Sequence, residues 1–304
     1  MTTHFTDADV RAVLTYETLI PAMERALGDF SLGKVVQPVR TTIPVAEQGG
    51  YLFVMPAYAQ GANALGAKLV TYFPKNRSVA THFATIQLFK PETGEPLASM
   101  DGSLITEMRT AAVSAVATDR LARKDAAVLA LIGAGVQARS HLQALRQVRS
   151  FREVRVWSPN SAAAFASEHG VVAAADAEAC VRGADVIVVA TTSTQPVLHG
   201  AWVADGAHLN SVGAALPDCR ELDDEFIHRA KIFVDSRAGA FAESGDVRAV
   251  NRVDAEIGDV VLGRHPGRTS ASEVTWFKSL GMAVEDVVTA QLVMHALTRN
   301  GEKS

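Results

Sequence analysis

The sequence predicts an α/β protein built in two parts. Its N-terminal stretch mixes helical and strand-like apolar patterns, whereas after about residue 123 five short, near-continuous apolar runs alternate with helical segments. At the first of those runs, Leu129-Ala-Leu-Ile-Gly-Ala-Gly-Val-Gln-Ala138 passes from apolar run to helix through two glycines, marking a strand–turn–helix junction.

Taken in order, residues 8–33 carry apolar side chains at helical spacing, and 78–90 read as a strand ending in the turn Pro-Glu-Thr-Gly-Glu-Pro. Residues 106–122 form a helix joining the two parts. Beyond it, the runs in "AAVLALIGAG", "EVRVWSP", "ADVIVVATT", "AHLNSVG" and "AKIFVDS" lack strict alternation, which is the pattern of parallel strands buried on both faces. Helices "QARSHLQALRQV" and "SAAAFASEHG" lie between them, giving a Rossmann-type layout. A last helix covers 282–301, with Gly301 as its stop signal.

Composition narrows the setting. The 304 residues are 48% hydrophobic and 20% charged, enough apolar material for a sizeable core in one large domain or two ordinary ones. A net charge of −4 without a basic block speaks against nucleic acid or an anionic membrane as partner. Cys180 and Cys219 show neither a CxxC pairing nor metal-ligand spacing, so they read as small hydrophobes in a reducing compartment. The polar, acidic start "MTTHFTDADV" is unlike a signal peptide, and the longest apolar runs, near 127–135 and 186–190, are too short to span a bilayer. The expectation is a cytoplasmic protein.

The glycine junction carries the first chemistry. Gly133, Ala134, Gly135, Val136, Gln137 and Ala138 match G-x-G-x-x-A. In that motif the first glycine makes the turn, the second admits a pyrophosphate, and the last small residue lets helix pack on strand. The motif alone is weak, since any α/β protein can turn on glycines. Its place after a strand and before a helix makes it a dinucleotide site, with helix N–H groups facing the phosphates. The second strand ends in Ser158-Pro159-Asn160, without the carboxylate that would hold ribose hydroxyls and without an arginine for a 2′-phosphate. That favours NADPH modestly, with NADH possible.

Three cations in uncharged or apolar contexts are the substrate-side candidates: Arg40 in "QPVRTTIP", Lys68 in "LGAKLVTYF" and Arg109 in "LITEMRTAAVS". Each alone reads as a surface side chain with a buried stem. Together they read as a clamp for a carboxylate.

Beyond single sites, "GYLFVMPAY", "GAKLVTYF", "MDGSLITEMRTAAVSAVAT", "LIGAGVQARSHL", "VGAALPDCRELDDE" and "FKSLGMAVED" make the chain, from about Thr6 to Leu297, resemble the ornithine cyclodeaminase/mu-crystallin family. The resemblance implies a substrate-binding and dimerisation domain over 1–122, completed by the C-terminal helix 285–304, a Rossmann dinucleotide domain over 123–284, and a homodimer. It assigns the substrate carboxylate to Arg40, Lys68 and Arg109. To the cofactor site it adds Thr191, Thr192, Val212, Lys278, Ser279, Leu280 and Gly281.

Departures from the family pattern choose among its chemistries. Cyclodeaminases carry an acid/base aspartate in a pattern like VGGDxPGKxEL, where this chain has Ala215. They also resemble ELMP where this chain reads Phe53-Val54-Met55-Pro56. "PDCRELDDE" and "TWFKSLGMAVED" are instead similar to the ketimine reductase branch. Reducing an iminium needs a hydride and correct placement rather than a base that deprotonates an ammonium, so Ala215 is tolerable for a reductase. The resemblance thus implies NAD(P)H-dependent reduction of small cyclic imino acids, Δ1-pyrroline-2-carboxylate or Δ1-piperideine-2-carboxylate, to proline or pipecolate. Lys68 is the candidate for both carboxylate ligand and proton donor. His82, in an HxAT motif, is either a catalytic titratable group or a structural histidine. Asp218 and Glu221 read as caps or braces of their loop. Alternatives are an alanine dehydrogenase, an acyclic imino-acid reductase or a cyclodeaminase, and, from another class, a protein that binds NADP and a ligand without turnover.

Overall fold

The computed structural model describes residues 3–301 and divides the chain into two units. Unit 1 runs to Arg109 and resumes at Gly281; unit 2 is Thr110–Leu280. The sequence reading placed these divisions at 122/123 and 284/285. The first lies earlier because one uninterrupted helix, Ser103–Leu121, belongs to both units, its second half being buried along Ala111, Ala112, Val113, Ala115 and Val116.

Unit 1 opens with strand β1 (Thr3–Phe5) and helices α1 (Asp7–Val13) and α2 (Tyr16–Ser31). The apolar periodicity of 8–33 is therefore split in two. Thr6 caps α1 through a capping box with Asp9, and α1 ends at Leu14 in extended backbone. Strands β2 (Val35–Val36), β3 (Thr41–Val45), β4 (Gly50–Ala59), β5 (Ala64–Tyr72), β6 (His82–Phe89) and β7 (Pro96–Asp101) complete a seven-stranded sheet of order β1-β7-β6-β5-β4-β2, with β3 also on β4. All its pairs are antiparallel except β1 with β7. Alternation is clean: Met55, Ala57, Lys68, Ile86, Leu88, Ala98 and Met100 point to the buried face. The helix after β7, α3 (Ser103–Leu121), leads out of the unit.

Unit 2 contains β8 (Val128–Ile132), α4 (Val136–Val148), β9 (Glu153–Trp157), α5 (Ala162–His169), β10 (Val172–Ala173), α6 (Ala177–Val181), β11 (Val186–Val189) and β12 (His208–Ser211). It continues with α7 (Asp224–Arg229), β13 (Lys231–Val234), α8 (Arg237–Glu243), α9 (Gly245–Val250), β14 (Ala255–Glu256), α10 (Ile257–Val261) and β15 (Thr275–Lys278). Its eight strands are all parallel, in the order β10-β9-β8-β11-β12-β15-β13-β14. The five apolar runs become β8, β9, β11, β12 and β13. Strand β15 was not expected and inserts between β12 and β13; its four residues follow a polar loop and offer no periodicity. It is nonetheless core, since Trp276 is fully buried, packs edge-on to Phe226 and donates to the Ser211 hydroxyl at 2.8 Å. Strand order reverses at β8, whose neighbours are β9 and β11, and that reversal places a ligand crevice at the carboxyl ends of these strands.

Back in unit 1, α11 (Ala283–Gly301) packs on β4, β5, β6 and α2. It begins where the Gln37 side chain accepts from the Val284 N–H at 2.9 Å and reaches Gly301, the last described residue.

Candidate active site

In unit 1 two of the three predicted cations, Lys68 and Arg109, are paired with buried carboxylates. Lys68, fully buried on the inner face of β5, holds Asp286 at 2.7 Å. Arg109, at the unit 1 end of α3, donates through Nε to Asp286 at 3.0 Å and through Nη1 to Glu285 at 2.8 Å. Arg40 donates to the Gly281 carbonyl at 3.2 Å and lies over the Phe53 ring at 5.8 Å. Gly281 is required here, because at φ +81° a Cβ would run into the Arg109 guanidinium. Glu285 and Asp286 escaped the sequence reading. Their signal was two adjacent carboxylates in the first turn of an otherwise apolar helix, where the helix dipole favours negative charge.

The electrostatics follow from burial. Loss of solvent pulls the Lys68 pKa down to about 8; Asp286 pulls it up, and the charges of Arg109 and Arg40 push it down again.

The sheet face bearing Lys68 continues as rows of paired residues. Lys68 lies between Met55 and Ile86, Val70 between Phe53 and Ala84, and Tyr72 between Tyr51 and His82. His82 thus shares the face of Lys68 but sits two rows away, exposed, its ring stacked on Tyr72 at 4.5 Å and bonded to the Thr81 hydroxyl at 3.0 Å. Desolvation of the stacked ring, then the charge of Lys68, hold its pKa below the ordinary histidine value. A neutral, edge-placed ring suits a wall better than a proton donor.

Unit 2 holds the dinucleotide candidates. Gly133 has φ +108°, and a Cβ on it would strike the Ala190 carbonyl, so the protein's own packing demands glycine. Gly135, the N-cap of α4, has φ −93°, and a Cβ there would meet nothing within 4 Å. The fold has no internal reason for the second glycine, as expected where a phosphate approaches the backbone. No side chain caps α4, which leaves its first N–H groups to a ligand. Val136 is exposed, Gln137 half-buried with its Oε1 unpartnered, and Ala138 buried against the strand. These residues fit a dinucleotide pyrophosphate.

Ser158, Pro159 and Asn160 follow β9, with Ser158 Oγ 3.0 Å from Ser161 Oγ. Thr191 and Thr192 follow β11, and Val212 follows β12. Lys278 ends β15, fully buried, and donates to the Gly213 carbonyl. Next to it Ser279 and Leu280 bond to Asp235, the Leu280 N–H at 2.7 Å. Ala215 and Asp218 are exposed, whereas Glu221 is fully buried and braces Thr191, accepting from its N–H at 2.9 Å and its hydroxyl at 2.7 Å.

Known proteins are similar to this chain in sequence and fold. Ketimine reductase mu-crystallin of Mus musculus is 48% identical over 285 residues, covering 90% of each chain. The solved Δ1-pyrroline-2-carboxylate reductase of Thermococcus litoralis, in complex with NADH and L-proline, superposes with a TM-score of 0.94 at 36% identity, over 99% of this chain and 98% of that one. An archaeal alanine dehydrogenase dimer with bound NAD gives 0.92 at 35% identity, over 98% and 97%. The family pattern itself matches residues 2–301, so the chain belongs to the ornithine cyclodeaminase/mu-crystallin family.

Proposed function

We propose that this protein is an NAD(P)H-dependent ketimine reductase that reduces the C=N bond of small cyclic imino acids such as Δ1-pyrroline-2-carboxylate or Δ1-piperideine-2-carboxylate. The observation that carries this reading is the cluster of Lys68, Arg109 and Arg40, the first two buried against Asp286 and Glu285 and the third half-buried beside them on Gly281. The relatives named as ketimine and pyrroline-2-carboxylate reductases, one of them holding NADH and L-proline, support the substrate class.

When bound, a reduced nicotinamide cofactor would supply the hydride. The chain's residues do the rest: Arg40, Lys68 and Arg109 hold the substrate carboxylate, and Phe53, Val70 and Tyr72 give its ring an apolar floor. The Lys68 ammonium, kept by Asp286, supplies a proton to the imine nitrogen when the substrate arrives neutral. Position 215 offers no carboxylate to deprotonate an ammonium, which argues for reduction over cyclodeamination. Gly133 to Gln137 would hold the cofactor's pyrophosphate, and Ser158–Asn160 would meet its adenosine end. Neutral donors and no acid there favour NADPH while leaving NADH usable.

The protein acts as a homodimer in the cytoplasm. Ile43, Leu69 and Phe83 on the outer face of the unit 1 sheet are 45%, 48% and 54% exposed, an apolar surface suited to a second copy. Among the described residues no helix is long and apolar enough to cross a membrane. Turnover of Δ1-pyrroline-2-carboxylate and Δ1-piperideine-2-carboxylate with NADPH deuterated at both C4 positions tests the chemistry: one deuterium should appear at Cα of the proline or pipecolate formed. Product without label, or turnover of neither imine, contradicts the reading.

A further inference from the structure

Glu221 belongs to a buried charge cluster that imine reduction, as described, does not use. Its Oε1 accepts from the Thr191 N–H and hydroxyl, and its Oε2 has no hydrogen-bond partner. The carboxyl fills the space that a Cβ on Gly213 would need. The charged groups facing it are Lys278 at the end of β15, Asp246 of α9, and Arg220 of its own loop. Asp246 accepts from the Glu221 and Leu222 N–H groups, each at 3.2 Å, and lies 3.6 Å from Arg220 Nε. Arg220 also pairs with Asp224 at 2.7 Å, and ionisation of Glu221 adds one buried negative charge to the cluster.

Its position gives that charge a target. Thr191, Gly213 and Lys278 stand at the carboxyl ends of β11, β12 and β15, across the strand-order reversal from β9. A dinucleotide with its pyrophosphate at the β8–α4 turn and its adenosine at β9 lays its nicotinamide half on this side. The nicotinamide ring is cationic when oxidised and neutral when reduced. We propose that Glu221 sets the relative affinity for the two redox forms of the cofactor: its carboxylate favours the oxidised ring, and loss of that charge favours the reduced form. The inference rests on the dinucleotide reading. In a buried setting such a charge is weakly screened. Burial pushes the Glu221 pKa up to about 7, against the pulls of Lys278 and Thr191, so the charge changes within a convenient pH range.

The test is equilibrium binding of NADP+, NADPH, NAD+ and NADH from pH 6 to 8.5 by titration calorimetry. The ratio of oxidised to reduced dissociation constants should fall by about threefold to tenfold as pH rises through 7. A 2′-phosphate is common to both redox forms, so its own ionisation largely drops out of the ratio. Glu221→Gln should hold the ratio at its acid-side value at every pH. Thr191→Val removes a hydrogen bond to the charged form and should move the midpoint to higher pH, which decides the matter even if the glutamine variant does not fold. A flat ratio in the wild type, an unchanged pH dependence in Glu221→Gln, or an unmoved midpoint in Thr191→Val overturns the inference. Failure to bind any dinucleotide overturns the cofactor reading instead.

Discussion

Lys68 and Asp286 hold each other in a place where either charge alone would be costly. The cationic form of Lys68 is the one that binds a carboxylate and has a proton to give. With its pKa lowered to about 8, kcat/KM for imine reduction should be level below pH 8 and fall as pH rises through it. Asp286→Asn removes the attractive partner and leaves the repulsion of Arg109 and Arg40, so the limb should move down by roughly one pH unit or more. A pH–rate profile with an unmoved limb would count against Lys68 as the titrating group. Arg109→Ala is a poor probe, because it removes a buried partner of both Glu285 and Asp286 at a cost of about 3–5 kcal/mol. Arg109→Lys keeps the charge but loses the fork that reaches both Glu285 and Asp286. It should lower kcat/KM by roughly tenfold to a hundredfold while the NADPH dissociation constant stays put. The three cations were legible because isolated charges among apolar residues stand out. Their counter-ions were not, because nothing local in "MAVED" says which distant side chains it meets.

Among the elements, the β8–α4 junction was the most legible, since a buried run, two glycines and a helix each obey a local rule. The two glycines nevertheless do different work. Gly133→Ala should destabilise the fold by roughly 1–3 kcal/mol through its positive φ and the Ala190 carbonyl. Gly135→Ala should change stability by less than about 1 kcal/mol, the scale of a helix N-cap, yet weaken dinucleotide binding at least tenfold. Thermal unfolding and cofactor titration on the same two variants separate these effects; equal behaviour would remove the pyrophosphate from this turn. Ala214 is a further backbone feature hidden from pattern reading: it holds φ +47°, a conformation costing a non-glycine residue about 1–2 kcal/mol, one residue before Ala215. Strand β15 and the passage of α3 from one unit to the other were equally hidden, because strand insertion and domain division are decided by tertiary packing.

At the scale of the molecule, alternation on β4 to β6 assigns one face to α11 and the cation cluster and leaves the other apolar and open. If that outer face meets a second copy, Leu69→Asp with Phe83→Asp should convert a dimer to a monomer in sedimentation velocity; a wild-type monomer, or a double variant that stays dimeric, would contradict it. The two-part α/β architecture was readable from changes in periodicity, whereas the use of a sheet's outer face depends on exposure that only the fold reveals. The central claim is reduction of a cyclic imine, and the measurement that tests it most directly is steady-state turnover of one preparation with three substrate sets. NADPH should be consumed one-to-one with proline formed from Δ1-pyrroline-2-carboxylate, far faster than with pyruvate plus ammonia, and ornithine with NAD+ should release no ammonia. Ammonia release from ornithine at a comparable rate, or no turnover of the cyclic imine by protein that binds NADPH, would contradict the account.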